Sequence, residues 1–316
     1  MDILQFMKRR ADFQSLLLSA GTVVAGTAAA VVRGNMEVLA ASVCLLFALS
    51  MQLGCNCYHS YLLMRRSEPL PGRLDRVRNE EQVLSLRVLR EGSFACLIIS
   101  LMLGLTIMTM SADFWWTIVV GVSIYGLVYL MTTGPRVYRN PLSLVITFLI
   151  FGPVGVMATG FLQFQHEAAM SLWNFYDSSP CLFLGVAMGF LACSHHLVLA
   201  YFNYDINPTS SYRGCVRFFG RRGVILLTGL CGVSMLATVV WSVFSLSFPS
   251  PLIAVIPGFL GFALNTLVAF SMKRAGVGEL HHLITLTRVN YFLTAVLFFV
   301  IWWVLGTPDD SMRLLF

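Results

Sequence analysis

The chain has 316 residues, of which 57% are hydrophobic and only 11% are charged, and its formal net charge is +6. Soluble globular domains carry about a quarter charged residues, so this composition excludes an ordinary soluble protein. The positive charge would also suit a nucleic-acid-binding protein, but the basic residues cluster beside long apolar runs, which is typical of membrane proteins. We therefore predict no nucleic-acid partner.

The long apolar runs predict helices that cross a lipid bilayer. An α-helix needs about 20 residues to cross the hydrocarbon core, and unbroken apolar runs are unlike the alternating strands of a membrane barrel. We predict an all-α, polytopic membrane protein of about nine transmembrane helices that forms one domain, residues 1–316. The predicted spans are 13–32, 38–60, 93–111, 114–133, 141–162, 181–202, 224–247, 251–271 and 289–305.

The first predicted span follows Lys8, Arg9 and Arg10 and is similar in layout to a secretory signal peptide. Its apolar part runs for about 20 residues, whereas the apolar part of a signal peptide has about 7–15. We therefore expect this segment to be retained as the first span.

The basic residues predict the orientation of the spans. The polar segment 65–92 holds seven arginines, and short loops rich in Lys and Arg face the cytoplasm. With nine spans, all 21 basic residues except Arg33 and Arg313 then lie in cytoplasmic segments. We expect the N-terminus inside and the C-terminus outside, in a bacterial inner membrane.

Two predicted cytoplasmic loops, 65–92 and 203–223, are long and rich in arginine, and they follow spans two and six. Since they lie four spans apart, they suggest two similar halves, although no clear sequence repeat accompanies them. Matched segments of this kind often point to a binding site. We expect the two loops to cap a site at the cytoplasmic ends of spans two and six.

Span two turns polar towards its cytoplasmic end. Asn56, His59 and Ser60 follow the i, i+3, i+4 spacing that places side chains on one face of a helix. Polar groups at membrane depth are costly, and they tend to face a cavity or a partner helix. Two interpretations of this face stay open: the lining of a site, and hydrogen bonding between helices.

Span six ends in a polar stretch that continues into basic residues: Asn203, Asp205, Thr209, Arg213 and Arg217. A carboxylate beside two arginines is compatible with a phosphate site in which the guanidinium groups bind the phosphate. Asp205 is equally able to pair with one of these arginines at the surface. The residues alone leave both interpretations open.

The cysteines and histidines favour no zinc site. On a helix, Cys57 points about 160° away from both Cys55 and His59, so the three side chains do not converge on one ion. The adjacent His195 and His196 diverge by about 100° for the same reason.

A series of short motifs, in a fixed order, carries a resemblance to a known family. The motifs are Gln52 and Asn56; Met131-Thr-Thr-Gly134-Pro135-Arg136; Phe151-Gly152-Pro153 with Thr159 and Gln163; Asn203-Tyr-Asp205; Gly220; and Thr287-Arg288. Together they resemble the UbiA superfamily of intramembrane prenyltransferases. The pattern is most similar to the 1,4-dihydroxy-2-naphthoate polyprenyltransferases of menaquinone biosynthesis.

The resemblance implies a nine-helix fold and a reaction. Asp-rich motifs at the ends of spans two and six hold Mg²⁺, which binds the diphosphate of a polyprenyl diphosphate. The diphosphate leaves, and the allylic cation alkylates an aromatic acceptor. Metal ions and basic residues stabilise the departing charge. The implied partners are the lipid bilayer, a polyprenyl diphosphate and the acceptor.

The chain departs from the family pattern at several aspartates. The first motif is approximately N-x-x-N-D-Y-x-D, and here Ser60 and Leu63 occupy its two aspartate positions. In the second motif, approximately D-x-x-x-D, Asp205 is kept and Thr209 replaces the second aspartate. Mg²⁺ usually takes one or two carboxylates in addition to phosphate and water. The remaining groups, Asp205 with Ser60, Asn203 and Thr209, imply at most one weakly held Mg²⁺.

The resemblance therefore implies two alternative functions. In the first, a divergent prenyltransferase uses Asp205 as its catalytic metal ligand, Asn56 and His59 line the diphosphate pocket, and Arg213 and Arg217 contact phosphate. In the second, a catalytically inactive relative binds an isoprenoid or quinone, or supports a partner protein in the membrane.

Overall fold

A computed structural model describes residues 13–32, 36–66, 75–111, 114–133, 141–163, 175–206, 214–246 and 248–306. A short 3₁₀ turn, Phe13–Ser15, precedes the first helix. The helices are α1 (Leu16–Val31), α2 (Val38–Arg66), α3 (Asp75–Met110), α4 (Phe114–Thr133), α5a (Leu142–Leu149), α5b (Gly155–Gln163), α6 (Phe175–Ile206), α7 (Gly214–Ser245), α8 (Pro251–Met272) and α9 (Val277–Gly306).

The predicted all-α membrane fold is confirmed in these ranges. Each of the nine predicted spans coincides with a helix when α5a and α5b are counted as one. In the described part of the chain, eight segments are long and apolar enough to cross a bilayer, and α4 contributes the shorter apolar stretch Thr117–Leu130. Large apolar side chains such as Trp115, Leu252 and Phe270 are exposed on the surface of the bundle. Lipid chains would cover such a surface, so the protein is an integral membrane protein.

Parts of the two predicted loops are helical instead. Within 65–92, α2 continues to Arg66 and α3 already begins at Asp75, and 203–223 includes the end of α6 and the start of α7. The reason is that low hydropathy marks where a helix leaves the bilayer, not where it ends. Segment 75–92 is rich in good helix formers, and Arg87 and Glu91 form an i,i+4 ion pair with a 2.7 Å separation.

Helices α1 and α6 form the centre of the bundle, and most of each is buried. α1 packs against α2, α5b, α6 and α9, while α6 packs against α5a, α5b, α7 and α9 as well. Small residues permit this close approach. A Cβ added at Gly26 of α1, for example, would lie 2.6 Å from the Cβ of Thr159 in α5b.

The fifth span is broken between α5a and α5b by a π-helical turn, Ile150–Val154. Gly152 has non-helical dihedral angles (φ −114°, ψ −117°), and Pro153 cannot donate a backbone hydrogen bond. Beside the break, the carbonyl oxygen of Phe151 accepts a hydrogen bond from the buried hydroxyl of Tyr291 in α9. That hydroxyl also lies 2.8 Å from the hydroxyl of Thr22 in α1. The kink is therefore held by two other helices.

The end of the bundle at which α1 begins and α2 and α6 end is named the basic end. The Arg-rich segments 65–92 and 213–222 adjoin it. Its cytoplasmic orientation stays a prediction from the distribution of charge.

Candidate functional site

At the basic end, the polar face of α2 meets the start of α1. Asn56 Nδ2 donates a hydrogen bond to Ser15 Oγ at 2.7 Å, and Gln52 Nε2 donates to Asn56 Oδ1 at 3.2 Å. One turn further along α1, Ser19 Oγ donates to Gln52 Oε1 at 3.4 Å. Asn56 and Gln52 are only partly buried. This face thus contacts a partner helix while it also stays partly open.

His59 and Ser60 lie one turn beyond Asn56 on the same continuous helix, and both are partly buried. The face predicted from their spacing is therefore present in the structure. Their proposed role as contacts for a diphosphate stays a prediction.

The predicted residues of the second half lie at the end of α6 and just beyond it. Asn203 is in the last turns of α6, where its Nδ2 donates to the carbonyl oxygen of Leu199 at 2.8 Å. Asp205 belongs to the same helix, but its side chain lies outside the described residues, as do Thr209 and Arg213. Arg217, near the start of α7, is exposed. Both α2 and α6 pack against α1, so α1 joins the two halves.

Arg221 is a basic residue of this region that the sequence analysis did not select. Its guanidinium carbon lies 5.4 Å from the ring centre of Tyr204 and 6.0 Å from that of Tyr201, both in α6. Gly220, with φ of +70°, provides the bend that precedes it, and such a backbone favours glycine. Cation–π contacts of this kind contribute about 0.5–1 kcal/mol at exposed sites. They hold the start of α7 beside the last turns of α6.

Arg288 of α9 is a buried charge in the same layer. It is only 5% exposed, and its Nη1 donates to Gln14 Oε1 at 3.3 Å. Gln14 precedes Ser15, the residue that binds Asn56, so two successive residues connect α9 with α2. The sequence analysis recognised Arg288 only as a motif position. Its signal is a charged residue inside an apolar span, and such residues are often functional.

Two buried histidines extend this polar layer through α6. His195 Nδ1 lies 2.8 Å from Thr287 Oγ1 of α9, and His196 Nε2 lies 2.9 Å from Ser143 Oγ of α5a. The two rings bind different helices, as expected for adjacent helical residues. They connect α6 with α9 and α5a.

The donors that the structure describes do not fit a magnesium site. Asn56 uses its amide oxygen and nitrogen in bonds to Gln52 and Ser15, and Ser60 brings only a neutral hydroxyl. Mg²⁺ usually needs one or two carboxylates, and among the motif positions only Asp205 has one, on a side chain that is not described. In the described ranges, no group of three or more His, Cys, Asp or Glu residues is suited to a metal ion.

No protein-family model matches the chain, and no curated protein matches it by sequence. Among solved structures, it is similar to the apo form of a UbiA homologue from Aeropyrum pernix K1, with a TM-score of 0.65, 13% identity, and coverage of 89% of this chain and 96% of that chain. It is also similar to a digeranylgeranylglyceryl phosphate synthase, with a TM-score of 0.60, 12% identity, and coverage of 96% and 100%. At this identity the likeness shows the fold, so the UbiA-like fold implied by the motifs is confirmed.

Proposed function

We propose that this protein is a divergent polyprenyl transferase that moves a prenyl group from a polyprenyl diphosphate to an aromatic quinone precursor such as 1,4-dihydroxy-2-naphthoate. The observation that carries the proposal is the fold shared with two UbiA-type structures over at least 89% of the chain. The motif residues of α2 and α6 lie at one end of that fold, where a polar layer also lies. The proposal therefore combines the fold with the position of the motifs.

The distribution of polarity suits an amphipathic substrate. The interior that continues from the polar layer is apolar, and its core includes Val156, Leu184, Met188 and Phe298. A polyprenyl chain gains about 25 cal/mol for each Å² of apolar surface removed from water. A diphosphate bound at the basic end would therefore leave its hydrocarbon chain within the bundle or the bilayer.

In the proposed reaction, the bond between the prenyl carbon and the diphosphate oxygen breaks, and the diphosphate leaves with the electron pair. Basic groups already in place at the basic end stabilise this departing charge more than they stabilise the bound substrate. We assign this task to Arg213, Arg217 and Arg221. The aromatic ring of the acceptor then attacks the prenyl cation and loses a proton.

The remaining predicted residues keep their roles as proposals. Asp205 is the catalytic carboxylate and the main ligand of any Mg²⁺, which would neutralise diphosphate charge when bound. Asn56, His59 and Ser60 on α2 face Asn203 and Thr209 of the second half across the diphosphate.

A second candidate function is a catalytically inactive UbiA-like protein that binds an isoprenoid, a quinone or a membrane partner. The observation that favours it is the replacement of both aspartates of the first motif by Ser60 and Leu63. The described donors also fail to fit Mg²⁺. In this alternative the polar layer binds a ligand without converting it.

Reconstitution in liposomes distinguishes the two functions. The protein is supplied with Mg²⁺, polyprenyl diphosphates of several chain lengths, and dihydroxynaphthoate or hydroxybenzoate, and the products are identified by mass spectrometry. Prenylated product supports the transferase. Folded protein that binds the diphosphate but yields no product with any combination supports the inactive binder and contradicts the enzyme.

A further inference from the structure

The starting point is the cost of burying Arg288. The residue lies within Glu279–Leu305, a segment suited to cross a bilayer, and it is 5% exposed. A charge in such a place is expensive, and where it occurs it usually faces a cavity, a partner or a ligand pathway. A solely structural role in this position would be served by a neutral donor at lower cost.

The position of Arg288 makes it accessible from the basic end. Gln14, which accepts its hydrogen bond, is itself exposed. Arg288 therefore lies directly beneath one surface side chain. The Thr285 hydroxyl donates to the same Gln14 oxygen at 3.3 Å, so Gln14 closes over a pair of donors that both belong to α9.

The start of α1 adds positive potential at the same place. The first N–H groups of a helix point outwards, and the N-terminal end of its dipole is positive. Ser15 precedes α1 and its side chain makes no capping hydrogen bond to the helix, because its hydroxyl accepts from Asn56 instead. A guanidinium and a helix N-terminus that converge in this way repel a cation and attract an anion.

We propose that Arg288, with the first turn of α1, binds the diphosphate group of the substrate at the basic end. The assignment of the anion as a diphosphate rests on the proposed function. A guanidinium suits this ligand because its planar set of N–H groups can bind two phosphate oxygens at once. Arg288 thus provides positive charge at a site where Ser60 and Leu63 have replaced the aspartates of the resembled motif.

A phospholipid headgroup is the other source of phosphate at a membrane boundary. Arg288 is enclosed by the bundle and does not face the lipid surface. A diphosphate on a single isoprenoid chain is the more slender ligand, so the proposal commits to it.

The test measures binding of inorganic pyrophosphate, without metal ions, to the full chain in nanodiscs of zwitterionic lipid by calorimetry. Arg288→Gln removes the charge. Gln14→Glu keeps Arg288 and places a carboxylate where the Gln14 oxygen accepts its hydrogen bond. Both variants should weaken binding roughly 10- to 100-fold, the range expected for losing a hydrogen bond to a charged group. Arg274→Gln, at an exposed position before α9, is the matched control and should bind as the wild type does.

Pyrophosphate binding by folded Arg288→Gln or Gln14→Glu at wild-type strength overturns the proposal, as does wild-type protein that binds no pyrophosphate. If Arg288→Gln does not fold, Gln14→Glu decides alone, because it leaves the buried guanidinium in place. Displacement of pyrophosphate by nanodiscs rich in phosphatidylglycerol would overturn the diphosphate assignment in favour of a lipid headgroup.

Product formation is measured separately. Wild-type protein with Arg288-dependent pyrophosphate binding but no prenylated product contradicts the proposed function and leaves this inference standing. Product formed by Arg288→Gln with an unchanged KM for the diphosphate contradicts the inference and leaves the function standing.

Discussion

At the scale of single residues, polar side chains in this bundle mostly bind across helices. Asn56 reaches Ser15, His195 reaches Thr287, and Tyr291 reaches the Phe151 carbonyl. Hydrogen bonds between membrane helices contribute about 0.6 kcal/mol each on average, so their individual effect on stability is small. Their number fixes the geometry of the polar layer. Substitutions in this layer should therefore affect binding and turnover more than folding.

Asp205 provides the sharpest residue-level prediction for the proposed enzyme. Asp205→Ala should abolish prenylated product, since the first motif has no aspartate to replace its charge. Turnover is measured in liposomes by mass spectrometry. Asn203→Ala is the comparison: its described hydrogen bond goes to the carbonyl of Leu199 in its own helix, so its effect should be smaller. Unchanged turnover of Asp205→Ala would refute the assigned site.

At the scale of elements, the broken fifth span connects the centre of the bundle with its neighbours. Its π-helical turn packs against α6, and Gly152 makes this approach possible. A Cβ at Gly152 would lie 2.6 Å from the Gly189 Cα and 2.7 Å from the Gly185 carbonyl oxygen. Backbone atoms cannot rotate away as side chains can, so the contact requires glycine at this position.

Gly152→Ala should destabilise the protein by about 1–3 kcal/mol, the usual cost of overpacking a close contact. Gly121→Ala in α4 is the matched control, because a Cβ there meets no atom within 4 Å. Thermal unfolding of both variants in the same detergent measures the difference. Equal melting temperatures for the two would show that α6 does not pack against the break in this way.

These elements show how far the sequence could predict the structure. Apolar runs located the spans because the bilayer sets a minimum helix length, and α4 has the predicted bounds, Phe114–Thr133. The helical extension of α3 to Asp75 was missed, since hydropathy carries no information on a helix outside the membrane. The contact between Arg288 and Gln14 was also missed. It joins residues 274 positions apart, and no local spacing rule predicts such a pair.

At the scale of the whole molecule, the asymmetric distribution of charge gives the bundle a direction. All basic residues except Arg33 and Arg313 belong to segments that nine alternating spans place on one side. With eight spans, the segments after the omitted helix would change sides, and their arginines would face outwards. The geometry also joins the start of α1 with the ends of α2 and α6, so the proposed site lies on the side that charge assigns to the cytoplasm.

The position of the C-terminus tests this orientation and the number of spans together. An alkaline phosphatase fused after the last residue should be active, since that enzyme needs an oxidising compartment to form its disulfides. A fusion within 67–74, between α2 and α3, should be inactive because that segment is predicted to lie inside. An inactive C-terminal fusion beside an inactive 67–74 fusion would mean an even number of spans, with α4 as the first helix to question. Active fusions at both sites would reverse the basic end and place the diphosphate site on the outer face.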